Sequence, residues 1–255
     1  MPAHYAHYRF GRAVLAGMPP EVRQEVQRFR RMFDMGLHGP DIFFYADPLP
    51  GSTARALGKT FHRQSGREFF TRACAAADSE AGRAYLYGLL AHYCLDSSCH
   101  PFVNKMADAG EAGHVALESE FDRYLMVMDG ITAPHSHNIT GHMKLTRGEC
   151  MTVARFYPPA TGAQVSRSVH FMNFGIRFLA GGDPEKREAF LRRLHPSLPD
   201  HMIPDRAVTA FARMDSELLA RFNRCVKQYP ELLSQLLSHK RTGGPLGQEF
   251  APEFG

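Results

Sequence analysis

The sequence predicts an all-α protein, and three observations carry that expectation. Apolar residues recur at helical spacing through most of the chain, start and stop signals bracket those stretches, and Val and Ile never form a sustained period-2 run. Pro19-Pro20-Glu21 opens a segment with Val22, Val26, Phe29, Met32 and Phe33 on one stripe. Gly36-Leu37-His38-Gly39-Pro40-Asp41 closes it as a tight turn. Further helices are predicted over 52–63, 66–77, 79–99, 113–129, 162–180, 184–194 and 205–238. The stretch from Ser79-Glu80, with Ala84, Leu86, Leu89 and Leu90, is the longest buried candidate. Residues 130–146 read as a loop carrying His135, His137 and His142. Residues 241–255, rich in turn formers from Thr242-Gly243-Gly244-Pro245 onward, read as a disordered tail. The expected organisation is one compact multi-helix domain over 1–240, its first part to about residue 130 and a helical second half over 147–240.

With 44% hydrophobic and 22% charged positions in 255 residues, the composition is globular and far from the disordered regime. No run approaches the ~18 apolar residues of a membrane span. The first residues, Met1-Pro2-Ala3-His4-Tyr5-Ala6-His7, hold no apolar stretch that would serve as a secretory signal, so a cytoplasmic protein is expected. Five cysteines in such a protein read as reduced thiols. A net charge of +4 with scattered arginines gives no nucleic-acid footprint, and no stable nucleic-acid complex is expected. Nor does any one helix show a basic face beside an exposed aromatic face. Histidine is the unusual component: there are 14, and no Trp.

The most informative segment is His92-Tyr93-Cys94-Leu95-Asp96-Ser97-Ser98-Cys99-His100-Pro101. His92 and Asp96 share a helix face and can converge on one ion. His100 would lie roughly 12 Å beyond His92 on a continuous helix, too far for the same ion. Pro101 disfavours helical geometry at the residue before it, so the helix is expected to end there. A second pair, His114 and Glu118, has the same spacing and would complete a site with His100: two histidines and a carboxylate, with a position left for water. Such pairs also arise by chance. His201 and Asp205 form one, but Pro204 sits between them and a regular helix is not expected. Taken alone, Asp41 would read as a turn former or helix N-cap, His62 as an ordinary helix residue and His7 as packing. Cys94 and Cys99 read as buried thiols, Cys99 alternatively as a soft ligand. Phe43-Phe44-Tyr45 and Phe69-Phe70 read as core, part of which could wall a site. The loop histidines read as solvated, or alternatively as another metal site or a lid.

Several of these residues recur together. His7-Tyr8-Arg9-Phe10-Gly11, then Gly39-Pro40-Asp41, His62 ahead of Glu68-Phe69-Phe70, His92-Tyr93-Cys94-Leu95-Asp96, His100-Pro101-Phe102 and His114-Val115-Ala116-Leu117-Glu118 follow in order. In this the chain resembles the zinc-dependent phospholipase C family, whose relatives include the fungal single-strand-specific nucleases. It looks most like the intracellular bacterial branch, where Gly-Pro-Asp and His-Tyr-x-x-Asp motifs recur. The resemblance spans about residues 4–125 and implies an all-helical fold with a zinc cluster between helices. By resemblance, Asp41, His62, His92 and Asp96 surround one Zn2+, His100, His114 and Glu118 hold a second, and His7 binds a third, with Asp96 bridging. The secreted enzymes complete the third site with an N-terminal Trp, which this chain lacks; the Pro2 amine or His4 would have to stand in. Two to three zinc ions are therefore expected.

Clustered zinc implies metal-assisted hydrolysis of a phosphodiester by water, with Asp96 bridging and Asp41 as general base. The substrate is left open between a phospholipid, a nucleotide and a small metabolite. Two rivals stand beside this reading: a zinc-dependent nuclease or nucleotidase, and a non-catalytic metal-binding protein.

Overall fold

The structure is a computed structural model that describes residues 4–45 and 53–254. Among these residues there are eleven α-helices and seven short 3-10 turns, and no strands. The helices are α1 (His4–Val14), α2 (Pro20–Arg28), α3 (Arg30–Gly36), α4 (Thr53–His62), α5 (Gly66–Ala76) and α6 (Glu80–Asp108). They continue with α7 (His114–Met128), α8 (Arg147–Ala154), α9 (Gly162–Ala180), α10 (Pro184–Leu194) and α11 (Ala212–Thr242). The predicted fold class is the observed one. Side-chain caps start several helices where the sequence places a small polar residue: Ser65 before α5, Ser79 before α6, Thr161 before α9 and Asp183 before α10. The predicted start of α4 at residue 52 lies outside the described residues, as does Pro2.

Helix α6 is the axis. It is buried on every side from Ala84 to Asp96, as a helix apolar all round must be, and α1, α3, α7 and α11 pack around it. The approach of α3 is unusually close. A Cβ on Gly88 would overlap the Phe33 carbonyl, and one on Gly36 would overlap the Tyr85 carbonyl. This contact presses the turn after α3, Leu37 to Asp41, against the middle of α6, where His92 and Asp96 lie.

Four expectations are corrected. The stripe from Val22 to Phe33 forms two helices, jointed at Phe29 (φ −113°, ψ 42°). Helix α6 does not end before Pro101 but runs through it to Asp108. The ring removes an N–H and loosens the carbonyls one turn back; the Arg221 Nη1 donates to the Ser98 carbonyl at 2.7 Å, and the helix resumes with Val103 buried. The last long helix starts at Ala212 rather than 205, because the Glu120 carboxylate takes the Val208 N–H (3.2 Å). Finally, the segment after Thr242 is not disordered. Gly243 (φ 71°) ends α11, and the chain then returns across the core, burying Leu246, Phe250 and Phe254. Phe254 packs on Phe69, Phe70 and Tyr93, Tyr93 Oη donates to the Glu249 and Pro252 carbonyls (3.0 and 3.1 Å), and Gly66 N donates to Pro252 O. Turn residues dominate its composition, so its few large apolar side chains were under-weighted. The helix at α1 was not expected either.

Candidate metal centre

Four elements meet around Asp96. Helix α1 brings His7, the 3-10 turn Gly39–Tyr45 brings Asp41, the last residue of α4 is His62, and α6 supplies His92, Asp96 and His100. Helix α7 adds His114 and Glu118 at its first turn and just beyond. All are buried except His114, which is partly exposed. One ligand atom each from His7, Asp41, His92 and Asp96 lies within 4.8 Å of the others, and the same holds for His100, His114 and Glu118. Asp96 links the two groups. Its Oδ1 is 3.0 Å from His7 Nε2, and its Oδ2 is 3.2 Å from His92 Nε2 and 3.7 Å from His100 Nδ1. His62 Nε2 stands 2.7 Å from Asp41 Oδ1, on the edge of the first group. Glu118 Oε1 is 3.3 Å from His100 Nε2 and 3.2 Å from His114 Nε2. The geometry thus sets His7 in one group with Asp41, His92 and Asp96 rather than apart from them.

Backbone carbonyls orient three of the imidazoles. His62 Nδ1 bonds Gly58 O (2.9 Å), His92 Nδ1 bonds Leu37 O (3.1 Å) and His100 Nδ1 bonds Phe254 O (3.4 Å). In each case Nδ1 is the donor, so Nε2 is the nitrogen turned toward a carboxylate and the one that would meet a cation there. Gly39 makes the second of these possible: its φ is 45°, and a Cβ there would lie 2.5 Å from His92 Cδ2. Helix α1 is tied down by Asp122 on α7, whose carboxylate accepts from Tyr5 N (3.0 Å) and Ala6 N (2.8 Å). Burial raises the Asp122 pKa to about 7 against those two bonds. Asp122 and Phe254 were not singled out from sequence. The spacing of Asp122 one turn after Glu118 was a signal for the first; the second had none.

Burial opposes charge on Asp41, Asp96, Glu118, His7, His62, His92 and His100, yet most of these are shifted toward their charged forms, because each answers its neighbours. Asp96 and Glu118 outweigh burial at His100 and raise its pKa to about 10. His100 and His114 outweigh it at Glu118, which falls to about 2. Asp96 is likewise held low by His100, His92 and His7, and Asp41 by His92 and His62. Only His92 follows burial, to about 4. Three buried carboxylates are therefore ionised, and in the protein alone imidazolium protons supply the compensating positive charge.

A second histidine group lies alongside. His38 Nε2 is 2.9 Å from His142 Nε2, His38 Nδ1 is 3.4 Å from His4 Nδ1, and His4 Nε2 is 2.9 Å from Tyr45 Oη. His4 therefore turns to His38 and Tyr45, not to the carboxylates. The loop histidines go separate ways: His142 docks on His38 and stacks on Tyr8, His135 pairs with Asp205 (2.8 Å), and His137 is exposed. Among the described residues they form no metal-ligating group. Phe43, Phe69 and Phe70 are core, as expected, whereas Phe44 packs at a tilt against His62 (centroids 5.1 Å). Cys94 is buried and Cys99 partly so, neither in the centre. A largely apolar cavity, walled by Met126, Ile139, Ile176 and Leu179, opens beside His4, Tyr45 and Asp122.

The model of the family described as zinc-dependent phospholipase C matches residues 6–157. The chain belongs to that family. Neither the curated proteins nor the solved structures compared with it give a match. Whether this member's residues suit the family's zinc is decided by their free valences. His7 Nδ1 and Glu118 Oε2 are buried atoms without a hydrogen-bond partner, while Asp41 Oδ1 with His62 Nε2 and Asp96 Oδ2 with His92 Nε2 face one another inside the centre at 2.7 and 3.2 Å. Buried polar atoms are normally satisfied, and here either shared protons or a bound cation must do it. Nitrogen and carboxylate oxygen are zinc donors, and the set fits. As a zinc-dependent phospholipase C-like protein, the chain is a phosphodiester hydrolase at the level of its family. No helix among the described residues is long and apolar enough to cross a membrane.

Proposed function

We propose that the protein hydrolyses a phosphodiester by attack of water at phosphorus, without a covalent enzyme intermediate. The observation that supports this best is the convergence of buried imidazole and carboxylate ligand atoms around Asp96. His7, Asp41, His62, His92 and Asp96 would hold zinc on one side and His100, His114 and Glu118 on the other, with Asp96 shared as a bridge. Zinc bound there supplies a Lewis acid that brings the pKa of a water toward ~7 and neutralises charge on phosphoryl oxygens. Asp41, kept ionised by its imidazole neighbours, accepts the proton that the attacking water gives up. The backbone bonds to His62, His92 and His100 fix the imidazoles so that little reorganisation accompanies the reaction. The cavity beside the centre is small, and His4, Tyr45, Asp122, His135, His137 and His201 line it along with its apolar walls, so it does not choose between a lipid and a nucleotide ester.

Elemental analysis of protein purified without chelator, paired with hydrolysis of a soluble phosphodiester such as bis(p-nitrophenyl) phosphate, tests the reading. Wild type is expected to carry zinc and turn over. Asp96→Asn should lose zinc and at least ~100-fold in rate, the scale of losing one electrostatic contact to the reacting group, while its helical CD stays unchanged. Full activity with metal retained in that variant would remove Asp96 from the centre. Tight zinc without turnover would favour a metal-binding protein instead.

A further inference from the structure

Between Glu149 and Asp183 the chain holds no acidic residue. Helix α9 falls wholly within that gap, and its outward side carries Arg167, His170, Phe174, Arg177 and Phe178, all exposed. Phe174 and Phe178 are 62% and 42% exposed and lie one turn apart with their rings stacked (centroids 6.4 Å). Helix α10 extends the same patch: the Phe190 ring meets Phe178 edge-on at 6.3 Å. Phe190 and Leu194, 50% and 62% exposed, follow one another at helical spacing. Lys186 and Arg193 flank them, one turn before and one after Phe190, and are exposed. The acids of α10 point elsewhere. Glu185 and Glu188 line a groove on the other flank with Pro199 and Asp200, where Glu188 pairs with Arg192. Asp183 bends over the start of α10, its Oδ1 accepting from Glu185 N and Lys186 N and its Oδ2 3.9 Å from the Lys186 amine.

An exposed cluster of three phenylalanines and a leucine is costly in water, and large exposed apolar patches mark docking surfaces. Here Arg167, Arg177, Lys186 and Arg193 are on the rim, Glu185 and Glu188 are turned away, and Asp183 beside Lys186 is the acid that stays near it. That is the pattern of a surface that sinks apolar side chains into a bilayer while its basic residues meet anionic head groups. We propose that the outer faces of α9 and α10 form one docking surface for an anionic phospholipid membrane. The patch becomes continuous across the two helices where Phe178 meets Phe190. Ile176 and Leu179, on the inner side of α9, wall the cavity beside the metal centre, so docking would set that cavity just behind the head groups. The docking itself does not rest on the hydrolase reading.

The test is co-sedimentation of the full chain with vesicles of phosphatidylcholine alone and of phosphatidylcholine with phosphatidylglycerol. Binding is expected to the anionic vesicles, weaker to the neutral ones, and to fall as salt screens the rim. The double variant Phe174→Ser/Phe178→Ser and the double variant Arg167→Glu/Arg193→Glu should each bind at least about tenfold more weakly. All four positions are exposed, and both variants should keep wild-type hydrolysis of the soluble phosphodiester and wild-type zinc. Two results would overturn the proposal. One is wild-type protein that ignores anionic vesicles but elutes as a dimer, dispersed by the phenylalanine variant: the face would then be covered by a second copy. The other is vesicle binding that both variants retain in full. Failure of hydrolysis with vesicle binding intact would count against the enzyme alone.

Discussion

His4 and His7 sit one turn apart on α1, both buried, and go opposite ways. Burial drives His4 down to about 3, whereas Asp96 outweighs burial at His7 and lifts it above its ordinary value. The contrast extends to the groups they belong to. In the group of His7 stand two ionised carboxylates, Asp41 and Asp96; around His4 stand His38, His142 and Tyr45, and both histidines are depressed, His142 to about 4. A buried imidazole is neutral by default, and a carboxylate about 3 Å away reverses this at His7, His62 and His100, though not at the fully buried His92. A cluster of histidines is therefore not by itself a cation site. The same turn feeds both groups, Leu37 O and Asp41 into the first and His38 into the second.

The contrast can be broken most severely from the tail. Phe254 is fully buried, lies against the His92 ring, and lends its carbonyl to His100, so it supports the carboxylate group only. Phe254→Ala should cost about 3–5 kcal/mol in urea unfolding, the usual range for a buried phenylalanine. Zinc affinity should weaken with it, since His92 and His100 lose support. An unchanged Tm would mean that the tail is not docked. Gly39→Ala attacks the turn that both groups share. Its positive φ and the overlap with His92 should cost about 1–3 kcal/mol. Zinc per chain should fall as well; full zinc with lowered Tm would separate the turn's structural role from its part in the centre.

How far the sequence could be read follows the same line. Helices α5, α9 and α10 were legible to within a residue or so because their caps and apolar stripes are local. The pairs His92/Asp96 and His114/Glu118 were legible because four-residue spacing puts both on one face. The continuation of α6 through Pro101 was not, because the guanidinium that steadies it comes from Arg221, far along the chain. The tail failed for a related reason: Phe250 and Phe254 are buried only because Tyr93, Phe69 and Phe70 wait for them. The turn residue Asp41 drew its weight from family resemblance rather than from its own surroundings. His38 carried no local signal at all, since its partners lie 34 and 104 residues away.

The smallest expected effect tests the imidazole group directly. His142 touches only the second group, and burial with the Arg30 charge depresses it from 6.5 to about 4. In the unfolded chain it takes up a proton as pH falls below about 6.5, while in the fold it stays neutral until about 4. Its contribution to stability is thus fully present above 6.5 and is lost as pH falls toward 4. His142→Gln keeps a polar partner for His38 but cannot titrate. At pH 7.5 the variant should be no more than ~1 kcal/mol less stable than wild type, the worth of one hydrogen bond. At pH 5 it should be about 1–2 kcal/mol more stable relative to wild type than it was at neutrality. Urea unfolding at the two pH values measures both, and elemental analysis should find wild-type zinc. Zinc lost from His142→Gln would place a cation among the imidazoles, and the division between the two groups by their carboxylates would then fail.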